Sequence, residues 1–442
     1  MSIAAPPRRY ADVARLRRSL ARGGRDVILR ESRASAVFLV GESAYKLRKP
    51  ARIDVLDERS PRARADSRRR DVELNEELAP GIVLGVRAVV PADAGDHYLL
   101  EPSDDPRAID HLVEMRRFDE TRTMRALVKR GTLTAEQACA AGGRLARFHR
   151  TATRHRGGVD YRARVARNLE ALSPLVAERD AVALNRFAAA FLLGSDQVLE
   201  ARAAAGNVVD GHGDLRAEHV VFEAGQVLIV DRLASDVPRV VDVADELGLL
   251  LMDLADLTGA GTLGDAVLAG YATAGGARQP DSLLAFFGAY RAQARAKQAL
   301  LRSSPPGAGA HLADETARRL LALSRRLAWR ARGPLVLLVT GTPAAGKSAL
   351  AQALGSVSGL PVLSPEATAC GSARAVAGGS AIHQPIVECR EPAPLQVAIE
   401  GASDDARLSV ATPAPIESQV DEVEAWLDSL LAADRSTSSP WR

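Results

Sequence analysis

The segment His212-Gly213-Asp214-Leu215-Arg216-Ala217-Glu218-His219 places a carboxylate in a short polar loop, and Asp231 stands at the end of the apolar runs that follow it. A strand leaving the loop and another returning would bring Asp231 back beside Asp214. Two converging carboxylates suit phosphoryl transfer: one orients an attacking hydroxyl and accepts its proton, and the other holds Mg²⁺ on the phosphates of ATP. Asp214 takes the first role on this reading and Asp231 the second. Far upstream, Lys46 is one of only five lysines among 58 basic residues, the others being Lys49, Lys129, Lys297 and Lys347. Where arginine supplies nearly all the positive charge, a retained lysine points to a need for a compact ammonium on a flexible stem.

The elements that must position these groups follow from apolar spacing. Val37 to Val40 and Ala44 to Leu47 flank Gly41-Glu42-Ser43 and read as a β-hairpin with Lys46 on its second strand. An Arg-rich stretch over residues 61–79 leads into a helix that Pro80-Gly81 stops, and strand-like runs follow at 82–90 and 97–100. From about residue 110 to 330 the pattern is mostly helical, with 132–151, 161–201 and 280–302 as the clearest segments. Inside that helical region His219 to Phe222 and Val227 to Val230, joined by a turn at Glu223 to Gly225, read as a second hairpin. Ser303-Ser304-Pro305-Pro306-Gly307 reads as a loop, and a helix over 315–330 ends before Gly333-Pro334, which predicts a domain boundary near 331.

His212-Gly213-Asp214-Leu215, the hairpin and Asp231 resemble the catalytic core of aminoglycoside phosphotransferase-like kinases, and Val37 to Lys49 resembles their lysine-bearing strand. The order is also similar to that of bacterial proteins that fuse such a kinase to a C-terminal P-loop ATP-binding domain of AAA or zeta-toxin type. The resemblance implies an α+β, protein-kinase-like, two-lobed domain over 1–330, with a small lobe at about 28–115 and a helical lobe at about 116–330. A small α/β P-loop domain over 331–434 and a disordered tail over 435–442 would follow. It also implies that Lys46 binds the α- and β-phosphates, with Asp71 on the helix as its acidic partner and Glu73 as the alternative. His219 departs from the pattern, standing where the family more often has an Asn that binds the second Mg²⁺. A neutral imidazole is a poor ligand for so hard a cation.

A second nucleotide motif lies near the C-terminus. Gly341-Thr342-Pro343-Ala344-Ala345-Gly346-Lys347-Ser348 fits GxxxxGK[ST], follows the apolar run Leu335 to Val339 and precedes a helical stretch at 349–354. Loop N–H groups around Gly341 and Gly346 would cradle phosphates, Lys347 would reach the β- and γ-positions, and Ser348 would ligate Mg²⁺. The second acidic residue of a working P-loop site is missing: no Asp occurs from Ser348 through Arg390, and Glu366 and Glu388, the latter after Pro385-Ile386-Val387, are weak substitutes. A reduced nucleotide-binding module is the expectation.

Composition bounds the rest. At 442 residues, with 47% apolar and 26% charged residues, the chain is expected to be a folded protein of more than one domain. Balanced charge, 58 basic against 55 acidic residues, does not suit a dedicated nucleic-acid binder. Cys139, Cys370 and Cys389 form no CxxC pair, so neither a disulfide nor a structural metal is expected. The opening, Met1 to Tyr10, lacks the apolar core of a secretory signal, and no apolar run is long enough for a membrane span, which predicts a cytoplasmic protein without membrane partners. Asp242, Asp245, Glu246, Asp253 and Asp256 would share one face of a helix, either attracting a cationic amino sugar or capping the helix and facing solvent. The arginines of 62–70 and 318–332 are expected on solvated helix faces, and His149 as a packed or surface histidine. The expected activity is an ATP- and Mg²⁺-dependent kinase acting on a hydroxyl of a small molecule such as a sugar, amino sugar or aminoglycoside. A non-catalytic ATP-binding sensor is the alternative, and the oligomeric state is left open.

Overall fold

The structure, a computed structural model, describes residues 10–32, 35–49, 61–93, 96–233, 239–259, 261–302, 310–333, 336–342, 344–363, 386–390, 396–399, 407–410 and 414–433. The opening nine residues, the segment expected as a loop at 303–307, Glu366, Cys370 and residues 435–442 lie outside the described residues. The chain gathers into two compact units, one of Met1–Thr153, Val209–Val241 and Ala260–Gly276, the other of Arg154–Val208, Asp242–Gly259 and Ala277–Arg442.

The first unit is built on a six-stranded antiparallel sheet in the order β1-β2-β3-β6-β4-β5. Its strands are β1 (Ile28–Glu31), β2 (Ser35–Val40), β3 (Ser43–Arg48), β4 (Val83–Pro91), β5 (Tyr98–Pro102) and β6 (Asp110–Arg116). The expected hairpin is β2–β3, with Lys46 opposite Val37. The expectation of helix from residue 110 onward is corrected by β6, which lies between β3 and β4. Apolar alternation is obscured there because Asp110 and His111 are both buried, the first in an ion pair with buried Arg64.

Helix Pro61–Leu78 covers this sheet with a face that composition hides. Its buried residues Arg64, Arg68, Asp71, Asn75 and Leu78 recur at helical spacing, so the stripe is real but polar. The expectation of a solvated arginine face is therefore wrong for Arg64 and Arg68, which are 3% and 1% exposed. Arg64 is satisfied by Asp110 and by the Ile109 carbonyl at 2.6 Å, and Arg68 pairs with Asp71 at 3.2 Å.

After β7 (Val208–Asp210) the expected second hairpin appears as β8 (Val220–Glu223) and β9 (Gln226–Ile229), preceded by a 3₁₀ turn over Ala217–His219. Its two-residue turn has Ala224 at φ +48° and Gly225 at φ +76°, the positive angles that match the twist of a tight hairpin. β10 (Val240–Asp242) follows. Helices Ala135–Thr151 and Thr262–Thr273 pack at backbone distance, since a Cβ on Gly142 would stand 1.9 Å from the Val267 carbonyl oxygen.

The second unit is mostly helical. The expected helix over 161–201 is two helices, Tyr161–Leu172 and Glu178–Ala204, split at Ser173-Pro174-Leu175 because proline donates no hydrogen bond. Val243–Thr258 begins at the Asp242 cap, whose side chain accepts from the Ala244 N–H at 2.7 Å. Its acidic residues are neither a ligand-attracting nor a solvated face. Asp242, Asp245 and Asp253 are at most 1% exposed and pair with Arg202, Arg291 and Arg295. Arg332 is equally buried against Asp428, at 2.7 Å, so the 318–332 arginines are only partly a solvated face.

The same unit contains a five-stranded sheet of order β12-β13-β11-β14-β15, made of β11 (Leu337–Gly341), β12 (Val362–Leu363), β13 (Ile386–Arg390), β14 (Gln396–Ile399) and β15 (Arg407–Ser409). β12, β13 and β11 run parallel, while β14 and β15 are antiparallel to their neighbours. Helices Lys347–Ser358 and Ile416–Ala433 complete a core that includes Trp329, Leu337, Val339, Leu350, Val397 and Val423.

Candidate active site

Local sequence explains why the backbone at Asp214 and the backbone before Asp231 come together. Gly213 sits at φ +87°, turning the chain between His212 and Asp214, and the tight β8–β9 hairpin then returns the backbone. His212 ties the two ends together, its Nε2 donating to the Val230 carbonyl at 2.8 Å while its Nδ1 accepts from the Asp214 N–H at 3.3 Å. Asp231 follows Val230 on a left-handed backbone, φ +68°, a strained conformation for a residue with a Cβ.

Lys46 reaches across from β3 and forms an ion pair with Asp231 Oδ1. Partial burial pushes the Asp231 carboxyl up, but the Lys46 ammonium outweighs it and holds the group well below the usual carboxylate range. Lys46, Asp231 and His219 line one cavity of about 220 Å³ whose other walls include the apolar side chains of Val37, Val113 and Met115. A charged end beside an apolar slot is a shape that fits a nucleotide, with phosphates at one end and base at the other.

Asp71 is in the cavity wall, but its partners differ from the expectation. Its carboxylate pairs with Arg48 at 2.9 Å and Arg68 at 3.2 Å, while the ion pair of Lys46 runs to Asp231. Glu73 is exposed on the helix. Asp71 is one methylene shorter than a glutamate, and an arginine two residues beyond Lys46 on the same strand face reaches it instead. Burial raises the Asp71 carboxyl above its ordinary value, opposed by those arginines.

His219 sits at the end of the 3₁₀ turn, 6% exposed, with its ring stacked on His212 at 5.4 Å. Its Nδ1 lies 2.7 Å from the Asp214 carbonyl and its Nε2 lies 3.8 Å from Asp231 Oδ2. Asp214 itself is part-exposed, and Arg216 holds its carboxylate at 3.0 Å while also pairing with Glu218.

Four contributors were not legible in the sequence: Arg48, Asn75, Arg216 and Arg232. Asn75 accepts from the Arg232 N–H at 2.8 Å and donates to the Arg232 carbonyl at 3.2 Å, so helix Pro61–Leu78 grips the backbone directly after Asp231. The buried Arg232 guanidinium binds the carbonyls of Gly211 at 3.0 Å and Asp210 at 2.8 Å and lies over the Phe148 ring. Neither residue belongs to a motif; only the helical spacing of Asn75 with Asp71 and Leu78 could have flagged the first. His149 is a packed histidine, bonded through Nδ1 to the Tyr271 hydroxyl at 3.0 Å.

The second unit holds the P-loop motif. Gly341 ends β11, Gly346 takes φ +89° where a Cβ would meet open space, and Lys347 opens helix Lys347–Ser358. Lys347 is buried and its Nζ donates to the Thr342 carbonyl at 2.7 Å, and Ser348 is exposed. β13 confirms a strand at Ile386–Arg390, parallel to β11, while the Glu388 side chain lies outside the described residues.

No protein-family model matches the chain. Curated relatives do match: uncharacterized proteins of Mycobacterium bovis and Mycobacterium tuberculosis are each 32% identical over 351 residues, spanning 76% of this chain and 67% of the relative. The chain belongs to their family. Solved structures that this family member resembles include a choline/ethanolamine kinase family protein from Mesorhizobium loti, at 16% identity and a TM-score of 0.42, over 70% of this chain and 92% of that one. A choline kinase from Cryptosporidium parvum has 10% identity and a TM-score of 0.42, over 69% and 90%. An ADP-bound aminoglycoside phosphotransferase has 13% identity and a TM-score of 0.35, over 67% and 92%. These neighbours are small-molecule kinases. At such scores the likeness carries none of the functional reading, which rests on the geometry above. Among the described residues no helix is long and apolar enough to cross a membrane.

Proposed function

We propose that the first unit binds ATP and transfers its γ-phosphoryl group to a hydroxyl of a small molecule, of the sugar, amino sugar or aminoglycoside class. The observation that carries this reading is the pairing of Lys46 with Asp231, 185 residues later in the chain, at a largely apolar cavity that His219 also lines, with His219 in turn bonded to the Asp214 carbonyl at 2.7 Å. Lys46 would hold the α- and β-phosphates. Asp214 would orient the acceptor hydroxyl and take its proton, with Arg216 positioning the carboxylate at 3.0 Å. Asp71 supports the site by pairing with Arg48, on the strand that carries Lys46, and with Arg68 on its own helix.

The donor set fits a divalent cation, since Lys46 pairs with Asp231 Oδ1 while Oδ2 lies 3.8 Å from His219 Nε2. Bound with ATP, a cation such as Mg²⁺ would neutralise phosphate charge. Asp231 and His219 are the side chains that would hold it.

The division of the chain near 331 and a phosphate-binding role for Gly341, Gly346, Lys347 and Ser348 belong to the same proposal. Its support is the strand–loop–helix arrangement with a left-handed Gly346 and a buried lysine folded back on the loop. A non-catalytic nucleotide sensor is the second reading, favoured by the Arg216 guanidinium already engaging Asp214.

The deciding experiment is ATP consumption against a panel of sugars and aminoglycosides, with Asp214→Ala as the control. We expect acceptor-dependent turnover that drops by about 10²–10⁴-fold in the variant. Equal turnover by both proteins removes the kinase reading, and stabilisation by ATP with no product from any acceptor leaves the sensor.

A further inference from the structure

We infer that the cleft selects a divalent first-row transition-metal cation, for which Mn²⁺ is the probe, over Mg²⁺, held by His219 Nε2 and Asp231 Oδ2. This rests on the nucleotide-binding reading of the first unit.

The tautomer of His219 is set by two neighbours whose roles are fixed. The Asp214 carbonyl, 2.7 Å from Nδ1, can only accept, so Nδ1 carries the proton. The Arg216 guanidinium nitrogen, 3.3 Å from Nε2, can only donate, so Nε2 presents its lone pair. Both contacts select the tautomer protonated at Nδ1, with Nε2 facing the carboxylate. Stacking on His212 and burial hold the ring in that orientation.

Nε2 and Asp231 Oδ2 are 3.8 Å apart, and two donors that each bind one ion at about 2.0–2.2 Å stand roughly 3–4 Å from each other. Lys46 occupies the other oxygen, Oδ1, and leaves Oδ2 for the ion. An imidazole donor favours first-row transition-metal cations, Fe²⁺ and Co²⁺ more than Mn²⁺ but all of them over Mg²⁺, which takes an octahedron of oxygens and sheds water reluctantly. Among the described residues no group of three or more His, Cys, Asp or Glu side chains is placed to hold a metal. Two side-chain donors need phosphate oxygens to complete the shell, so cation binding here depends on nucleotide. Arg216, which donates to Nε2 in this structure, is the group the cation displaces.

The test uses the full chain in a Lys347→Ala background, so that the loop of the second unit does not contribute. Bound Mn²⁺ is followed by electron paramagnetic resonance in the presence of the non-hydrolysable analogue AMP-PNP, and Mg²⁺ is titrated in as competitor. His219→Asn is the comparison, because its amide can still donate to the Asp214 carbonyl while offering an oxygen in place of Nε2. We expect the Mg²⁺ concentration that displaces half of the Mn²⁺ to fall by about tenfold or more in His219→Asn. Parent protein should also favour Mn²⁺ more strongly than free AMP-PNP does, a comparison that does not depend on how the variant folds. Superimposable displacement curves, with AMP-PNP bound in both proteins, overturn the metal choice and leave nucleotide binding intact. Failure of the parent protein to bind AMP-PNP with either cation overturns both.

Discussion

Asp231 combines a backbone strained at φ +68° with a carboxylate shared between Lys46 and the space facing His219. Such a residue costs roughly 1–3 kcal/mol of stability and persists because its surroundings fix it. Here the fixing is visible: Asn75 holds the next peptide from both sides and Arg232 anchors it to Asp210 and Gly211. Asn tolerates the left-handed region better than most residues and is isosteric with Asp. We therefore expect Asp231→Asn to unfold within about 1 kcal/mol of the parent in urea while losing at least about 10²-fold of any ATP turnover. A variant that keeps its activity would take Asp231 out of the nucleotide site.

At the scale of elements, two contacts depend on unusual faces. Helix Pro61–Leu78 buries a stripe of arginine, aspartate and asparagine, so it is positioned by ion pairs and hydrogen bonds where most helices use leucine. Helices Ala135–Thr151 and Thr262–Thr273 approach so closely that a Cβ on Gly270 would lie 1.9 Å from the Cys139 carbonyl oxygen, as one on Gly142 would from Val267. Backbone atoms cannot rotate away as a flexible side chain can. Gly142→Ala should therefore destabilise the first unit by about 1–3 kcal/mol, read as a lower urea midpoint. An unchanged midpoint would mean that these helices separate at little cost.

For the molecule as a whole, two proposed nucleotide loci predict a divided response to ATP with a divalent cation. A ligand at 100 times its Kd stabilises by about 2.7 kcal/mol at one site, so Lys46→Ala and Lys347→Ala should each lose part of the rise in Tm. If Lys46→Ala changes nothing, the first unit is not a nucleotide site. In the second unit, acid should act through the buried Glu424 carboxylate. Burial pushes Glu424 up, but Arg325 at 3.0 Å, Arg332 and the Trp329 N–H overcome it, so its carboxyl is held below its ordinary value of 4.5. A group lowered in the folded state contributes stability that is present above its unfolded pKa and lost as pH falls through the folded one. Melts should thus be flat with respect to this group above about pH 5 and fall below about pH 4.5, and Glu424→Gln should shrink the fall. A pH profile identical in that variant would deny the pair any role.

Local signals in the sequence determined the two hairpins, the helix ended by Pro80-Gly81, the strand–loop–helix around Lys347 and the return of Asp231 toward Asp214. Each rests on short-range turn chemistry and on apolar periodicity, which neighbouring residues alone dictate. Only the tertiary structure decided which charges pair. It gave Asp231 to Lys46, Asp71 to Arg48 and Arg68, and the acidic face of Val243–Thr258 to buried arginines. It also revealed β6, whose buried Asp110 and His111 masked a central strand. The physical reason is common to all of these. A charged residue reads as solvent-facing until a partner distant in sequence neutralises it, and with arginine so abundant in this chain, only the folded arrangement specifies which carboxylate each one meets.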